Sequence, residues 1–327
     1  MKIGNNDIKL YLGSAEIEKI YLGTSEVYEE EEPTPPHDYS QDYLTFVAEA
    51  DNMSIGLTDA GNNVYQYSID SGTTWSDLAN NASTTSVNTG EKILFKASGL
   101  TADIGVGIGT LKPSVSASVQ GNVMSLVYGD NFVNQETMDN FQFLSLFSFN
   151  ATLISAKNLI LPATALTSAC YSNMFQGCTS LTVAPELPAT TLAQSCYYNM
   201  FYSCTSLTTA PELPATTLAN NCYQSMFASC RNLATAPELP ATTLTDNCYD
   251  SMFMNCWNLN YIKCLATNIS ATDCTYAWVK EVAYSGTFVK AASMTGWTTG
   301  NDGIPNGWTI QNDDGSPYIN DNWDDQE

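Results

Sequence analysis

The chain has 327 residues, 44% of them apolar, and a formal net charge of −23 from 34 acidic and 11 basic side chains. That balance excludes a nucleic-acid binder, which needs a basic footprint over phosphates, and favours solubility in a crowded or repetitive assembly. No run approaches the roughly 20 apolar residues of a membrane span. The one histidine, His37, sits beside Pro35 and Pro36, where nothing holds it against a nucleophile, so histidine-based hydrolysis and His-ligated zinc are excluded.

Residues 1–28 carry a short repeat: Gly4-Asn5-Asn6-Asp7-Ile8, Gly13-Ser14-Ala15-Glu16-Ile17 and Gly23-Thr24-Ser25-Glu26-Val27. Short strands between glycine-containing turns are expected. So small a segment cannot bury a core of its own. It either completes itself on another chain, by strand addition or self-association, or folds back on the next domain. Leu10, Tyr11, Leu12, Ile20, Tyr21 and Leu22 are its candidate attachment residues. The first seven residues contain no apolar h-region, so no secretory leader is expected. Residues 29–39 run Glu29-Glu30-Glu31-Glu32-Pro33-Thr34-Pro35-Pro36 and onward. Like charges repel and proline favours extended chain, which predicts a semi-rigid spacer.

Residues 40–133 read as an all-β domain. Tyr43–Val47, Val64–Ser68, Lys92–Lys96 and Val123–Val127 are strand-like, and Gly61-Asn62-Asn63 and Asp70-Ser71-Gly72 supply turn chemistry. A small sandwich is expected, with Trp75 in a core or cross-strand role rather than a sugar-stacking one.

From 134 to 279 a 26-residue repeat governs the pattern. Pro-Ala-Thr-Thr-Leu at 188–192 recurs at 214–218 and 240–244, with a looser copy at 162–166. Met174, Met200, Met226 and Met252 keep the same step, each followed by phenylalanine. Fixed self-similarity at this period is the signature of a solenoid of stacked units. Leu192, Cys196, Met200 and Cys204 fall at i, i+4, i+8 and i+12, which predicts a helix of about three turns started by Thr190 or Thr191. Leu207–Ala210 reads as a strand, and Pro211 and Pro214 exclude helix after it. Each unit is therefore expected to be strand, turn and helix. Residues 134–162 form a degenerate first unit with two extra residues, an N-terminal cap. Residues 280–327 are expected to be a β-rich cap, with Trp297 and Trp308 covering the last unit, and an acidic tail. The fold class read from the sequence is thus α+β and multidomain.

All ten cysteines lie in the repeats, and no C-x-x-C pair occurs. Buried thiols used as small packing residues are the reading adopted; disulfides between units after release from a reducing cytoplasm are the alternative. Glu186, Glu212 and Glu238 form a ladder. Three equivalent carboxylates in equal surroundings offer no division of acid from base, so no catalytic residue, metal ligand or cofactor site is assigned. The repeats differ at their outer positions: Ser172/Tyr198/Gln224/Asp250, Gln176/Tyr202/Ala228/Met254 and Thr179/Thr205/Arg231/Trp257. Tyr198, Tyr202, Arg231, Met254 and Trp257 are the candidate recognition patch, because aromatics and arginine suit sugar or protein contacts.

The units Ala-Pro-Glu-Leu-Pro-Ala-Thr-Thr-Leu and Cys-Tyr-x-x-Met-Phe-x-x-Cys, over residues 163–279, resemble BspA-like leucine-rich repeats, a family of bacterial surface proteins. The arm at 12–23, Leu-Gly-x-x-x-Ile-x-Lys-x-Tyr-Leu-Gly, with the sandwich ending in Met124–Asp130 and the repeat array, resembles virion proteins of crAss-like phages of Bacteroides-type hosts. The resemblance implies a leucine-rich-repeat solenoid in a head or tail fibre or decoration protein located in the virion. It also implies no enzymatic activity, a homo-oligomer such as a trimer, contact with other virion proteins through the arm, and adhesion to a host surface glycan or protein. No nucleic-acid partner or membrane insertion is expected. A bacterial cell-surface adhesin of the same repeat family is the alternative.

Overall fold

The structure, a computed structural model, describes residues 41–97, 100 and 107–318, and the backbone of six short strands between residues 2 and 29. Leu10, nearly all of the 29–39 spacer and the acidic tail lie outside the described residues. The chain divides into two units, Met1–Tyr39 and Ser40–Glu327.

In the first unit, β1 (Lys2–Ile3) pairs with β2 (Asn6–Asp7), β3 (Tyr11–Leu12) with β4 (Ala15–Glu16), and β5 (Lys19–Leu22) with β6 (Ser25–Glu29), all antiparallel. Each pair is joined by two residues beginning with glycine, the composition of a tight hairpin. The three pairs are separate two-stranded sheets.

In the second unit the strands β7 (Leu44–Ala48), β8 (Ile55–Thr58), β9 (Tyr65–Ser68), β10 (Ser76–Leu78), β11 (Lys92–Lys96), β12 (Thr110–Pro113) and β13 (Ala117–Asn122) come first. Alternating burial, as at Ile55 and Leu57 in β8 and Ala117 and Val119 in β13, puts one face of each on the core. The β9–β10 turn is clamped by Asp70. Its carboxylate accepts from the Thr74 N–H at 2.9 Å and from the Ser68 hydroxyl at 2.7 Å, and these bonds together with the Thr74 hydroxyl hold the acid down at about 2. The expected self-contained sandwich is corrected. The sheet order is β10-β9-β11-β7-β13-β14, and β14 (Leu153–Ile160) belongs to the repeat region. It pairs parallel with β13, so the sheet crosses the boundary expected at 133/134. Phe46 of β7 meets Phe147 at 5.9 Å, joining the two cores.

The larger correction concerns the repeats. The leucine-rich-repeat solenoid of strand-turn-helix units does not form. Among the described residues the α-helix is the four-residue α1 (Ser125–Tyr128), followed by a 3-10 turn at Gly129–Asn131, both before the repeats, and no sheet runs through the repeats as a solenoid. Backbone angles give the reason. Ser195, Asn199 and Ser203 have φ of 57°, 54° and 60°, and Asn221, Ser225 and Ser229 repeat this one unit on. A left-handed residue at every fourth position is incompatible with an α-helix. A strict four-residue apolar period also drifts about 40° per step around a 3.6-residue helix.

The chain instead makes consecutive turns whose N–H groups alternate in direction. Those of Cys196, Tyr198, Met200, Tyr202 and Cys204 bond to the carbonyls three residues back. Those of Ser195, Tyr197, Asn199, Phe201 and Ser203 bond to Asn220, Cys222, Gln224, Met226 and Ala228 of the next unit. Every backbone donor of the segment is thereby satisfied. Thr190 and Thr191 cap no helix; their N–H groups bond to the Thr164 carbonyl.

Side chains stack in the same register. Phe143, Tyr171, Tyr197, Tyr223 and Tyr249 form one column, with ring centroids 5.8, 5.9, 5.8 and 6.2 Å apart. Phe147, Phe175, Phe201, Phe227 and Phe253 form a second, at 5.3, 5.5, 5.6 and 5.9 Å. Both end on Trp278, which is fully buried, lies 6.2 Å from Tyr249 and 6.3 Å from Phe253, and donates its indole N–H to the Gly303 carbonyl. Beyond it β15 (Tyr261–Cys264), β16 (Thr287–Lys290) and β17 (Thr309–Asn312) make a parallel three-stranded sheet.

Phe201→Ala is expected to cost about 3–5 kcal/mol, because it opens a gap between two stacked rings. At Asn199, glycine is expected to be tolerated, whereas valine costs at least about 1 kcal/mol through its left-handed backbone. Urea denaturation of the three variants checks both; a tolerated Asn199→Val removes the turn assignment.

Candidate functional site

Because residues four apart return to the same side of a turn, Tyr198 and Tyr202 share the outer face of their unit, both half-buried. Met254 stands in the Tyr202 column two units on, as the bond from the Ser229 N–H to its carbonyl shows. Arg231 and Trp257 belong to consecutive units, and the Arg231 guanidinium carbon lies 4.3 Å from the Trp257 ring centroid. Trp257 is 52% exposed, and Arg231 is exposed too. Among the described residues no carboxylate pairs with Arg231. A guanidinium over an indole ring gains a cation–π contact while its N–H donors stay available to a ligand. The candidate residues therefore lie over three consecutive units, with Tyr198, Tyr202 and Met254 at the outer turn position and the Arg231–Trp257 pair just past the last inner cysteine.

Sequence reasoning did not include Tyr276, 57% exposed. It continues the Tyr198 column, since its carbonyl accepts from the Ser251 N–H as Gln224 accepts from Asn199. The 26-residue count from Tyr198 through Gln224 and Asp250 was signal enough to find it. Between these tyrosines, Gln224 donates to Asp250 at 2.7 Å, tying two units together on the surface.

The arm residues Tyr11 and Leu12 form β3, and Ile20, Tyr21 and Leu22 lie in β5. In the β domain, half-buried Trp75 packs edge-on against Tyr43 at 5.1 Å and under the Lys96 ammonium at 4.2 Å. Asp130 accepts from both Tyr43 and Lys96 at 2.8 Å, and burial, with the Asp130 carboxylate, pushes the Tyr43 phenol up to about 12.

The ten cysteines are free and buried. Cys178, Cys204, Cys230 and Cys256 donate their S–H to the carbonyls of Phe147, Phe175, Phe201 and Phe227 at 3.1, 3.1, 3.1 and 3.0 Å. Burial pushes the Cys178 and Cys256 thiols up to about 12 from the ordinary 9.0. A thiolate is the reactive form, so these thiols are donors and packing groups rather than nucleophiles. Among the described residues no group of three or more His, Cys, Asp or Glu side chains is placed to hold a metal ion. Nor is any helix among them long and apolar enough to cross a membrane. Glu186 and Glu212 are exposed, and Glu238 pairs with Lys263 at 3.0 Å. No family model matches the chain, and neither a curated protein nor a solved structure matches it.

The thiols set an alkaline limit on stability. Their folded pKa values lie above the unfolded value of 9.0, and Tyr171, Tyr197, Tyr223 and Tyr249 are likewise raised above 10.0 by burial. Such groups contribute fully below the unfolded pKa and lose that contribution as pH rises toward the folded one. The urea midpoint is expected to hold from pH 7 to 8.5 and fall steeply between 9 and 11. A flat profile across that range contradicts the assignment.

Proposed function

We propose that this chain is a non-enzymatic virion structural protein, a head or tail fibre or decoration protein, that adheres to a host surface glycan or protein through the outer face of its stacked units. The observation that carries the reading is the Arg231–Trp257 pair, exposed and at 4.3 Å on a scaffold whose inner positions barely change from unit to unit. Packing fixes the inner columns; it does not require an arginine over an exposed tryptophan, or Tyr198, Tyr202 and Met254 at the outer positions of the same stack. Exposed aromatics and arginine are the residue types that dominate recognition energetics.

The rest of the chain fits a particle component. The separate hairpin unit, followed by an acidic, proline-rich stretch, suits an anchor and a spacer. The arm motif's resemblance to crAss-like virion proteins supports a particle as the anchor's target, and the anchor would bind other virion proteins or further copies of the chain. Oligomerisation, a trimer in the simplest fibre, follows from the same reading.

Peptide mass spectrometry of purified virions is expected to find the chain at stoichiometric level. Its absence from particles removes the virion reading and leaves that of a bacterial surface adhesin. For the face itself, Trp257→Ala and Arg231→Ala are each expected to weaken binding of the purified protein to host cells about tenfold or more with an unchanged thermal midpoint. Full binding by both variants removes the face from the proposal.

A further inference from the structure

β14 bridges the following unit at Ser155–Val183, and the next bridge, Ala165–Thr191, comes after the strand has ended. Between these bridges the following unit carries Pro185 and Pro188, which have no N–H to donate. The ladder lapses there, and a groove of about 360 Å³ opens, lined by Lys157, Asn158, Ile160, Pro162, Glu186 and Pro188 among others. Ile160 and Pro162 are half-buried and the Pro188 ring is exposed, giving the groove apolar walls. Lys157, Asn158 and Glu186 are exposed at its rim, and among the described residues none of their side chains is bonded to a neighbour.

We infer that this groove is a second binding site, for one or two neutral sugar residues of a glycan chain. The ammonium donates, the carboxylate accepts and the amide does both, which is the mixture that vicinal hydroxyls require. A few polar groups around apolar walls, in a volume of this size, is the usual make-up of a small-ligand site. An extended peptide fits less well, because the prolines opposite β14 deny it a second row of backbone donors. The site belongs to the start of the stack, where a proline-free strand meets the first proline turn, and is separate from the face around Trp257.

The test titrates the full chain with maltose, lactose, mannobiose and chitobiose, observed by saturation-transfer NMR, alongside a Thr-Val hexapeptide. One disaccharide is expected to bind with a Kd on the order of 1 mM, and Glu186→Ala and Asn158→Ala each weaken it about tenfold. Glu212→Ala, the equivalent carboxylate one unit on, and Trp257→Ala leave it unchanged, which separates this groove from general charge and from the outer face. No binding of any disaccharide, binding of the hexapeptide alone, or equal loss in Glu186→Ala and Glu212→Ala overturns the inference. Loss in Trp257→Ala alone also overturns it, while leaving the adhesive face intact.

Discussion

Alternation of backbone N–H groups between a carbonyl three residues back and a carbonyl in the next unit is the constraint from which the repeat region follows. It requires a left-handed residue at every fourth position. Asparagine, serine and glycine hold that phase in the full units (Asn173 and Gly177, Ser195, Asn199 and Ser203, Asn247, Ser251 and Asn255) except at Ala169, whereas the terminal units carry Phe141, Ser145 and Phe149, and Asp273, Ala277 and Glu281. Because half the donors leave the unit, a unit without its neighbour exposes five of them, which is why the structure exists only as a stack. The same geometry brings equivalent side chains into register, so that one tyrosine and one phenylalanine per unit become continuous columns. Cysteine suits the remaining inner positions, being small enough for the tight turn and able to offer its S–H to a carbonyl.

Each end of the stack is closed by a segment that lacks the proline pair. Pro185 and Pro188, and their counterparts in the next two units, prevent a continuous ladder, and only isolated bridges such as Val183–Thr209 survive there. β14 at the start and Tyr261–Cys264 at the end have no proline, and both join sheets. At the far end the bridge from Leu239 to Cys264 spans 25 residues, one fewer than the repeat. That deletion places Lys263 in the glutamate register, where it meets Glu238. Trp278 then covers both aromatic columns with one side chain, stacked in turn on Trp297 at 5.5 Å.

Much of this was legible in the sequence. The 26-residue step, the inner columns and the two-residue insertion in the first unit are counts along the chain, and the bond from the Phe147 N–H to Met174, 27 residues on, against 25 for Phe175 to Met200, shows that insertion. The helix was misread because periodicity of apolar residues alone does not separate a 3.6-residue path from a four-residue one. Evidence that would have decided it was the column holding Asn173, Asn199, Asn221, Asn247 and Asn255, since asparagine is enriched at positive φ and neither it nor the serines of that column is a strong helix former. The sheet boundary was misread because a parallel partner for β13 arrives from beyond position 150, and pairing at that distance leaves no local mark. Of the candidate face, the columns were readable by counting, whereas the Arg231–Trp257 contact depends on the rise from one unit to the next.

Architecture and recognition are thus divided by the turn geometry itself. Three of every four positions in a turn point inward or carry the left-handed angle, as Cys196, Tyr197 and Asn199 do, and a change there disturbs the neighbouring units as well as its own. The outward position just before the left-handed residue, occupied by Tyr198, Gln224, Asp250 and Tyr276 in turn, joins the ladder through its backbone carbonyl, which accepts from the preceding unit; the Gln224–Asp250 pair adds a side-chain bond between units. A side chain can be exchanged there without shifting a ladder bond. A surface of this kind changes its ligand by substitution at a few columns while the stack beneath stays constant. Diversity among the units concentrates on these columns because they carry the fewest packing constraints, which is what the proposed adhesive role would draw on.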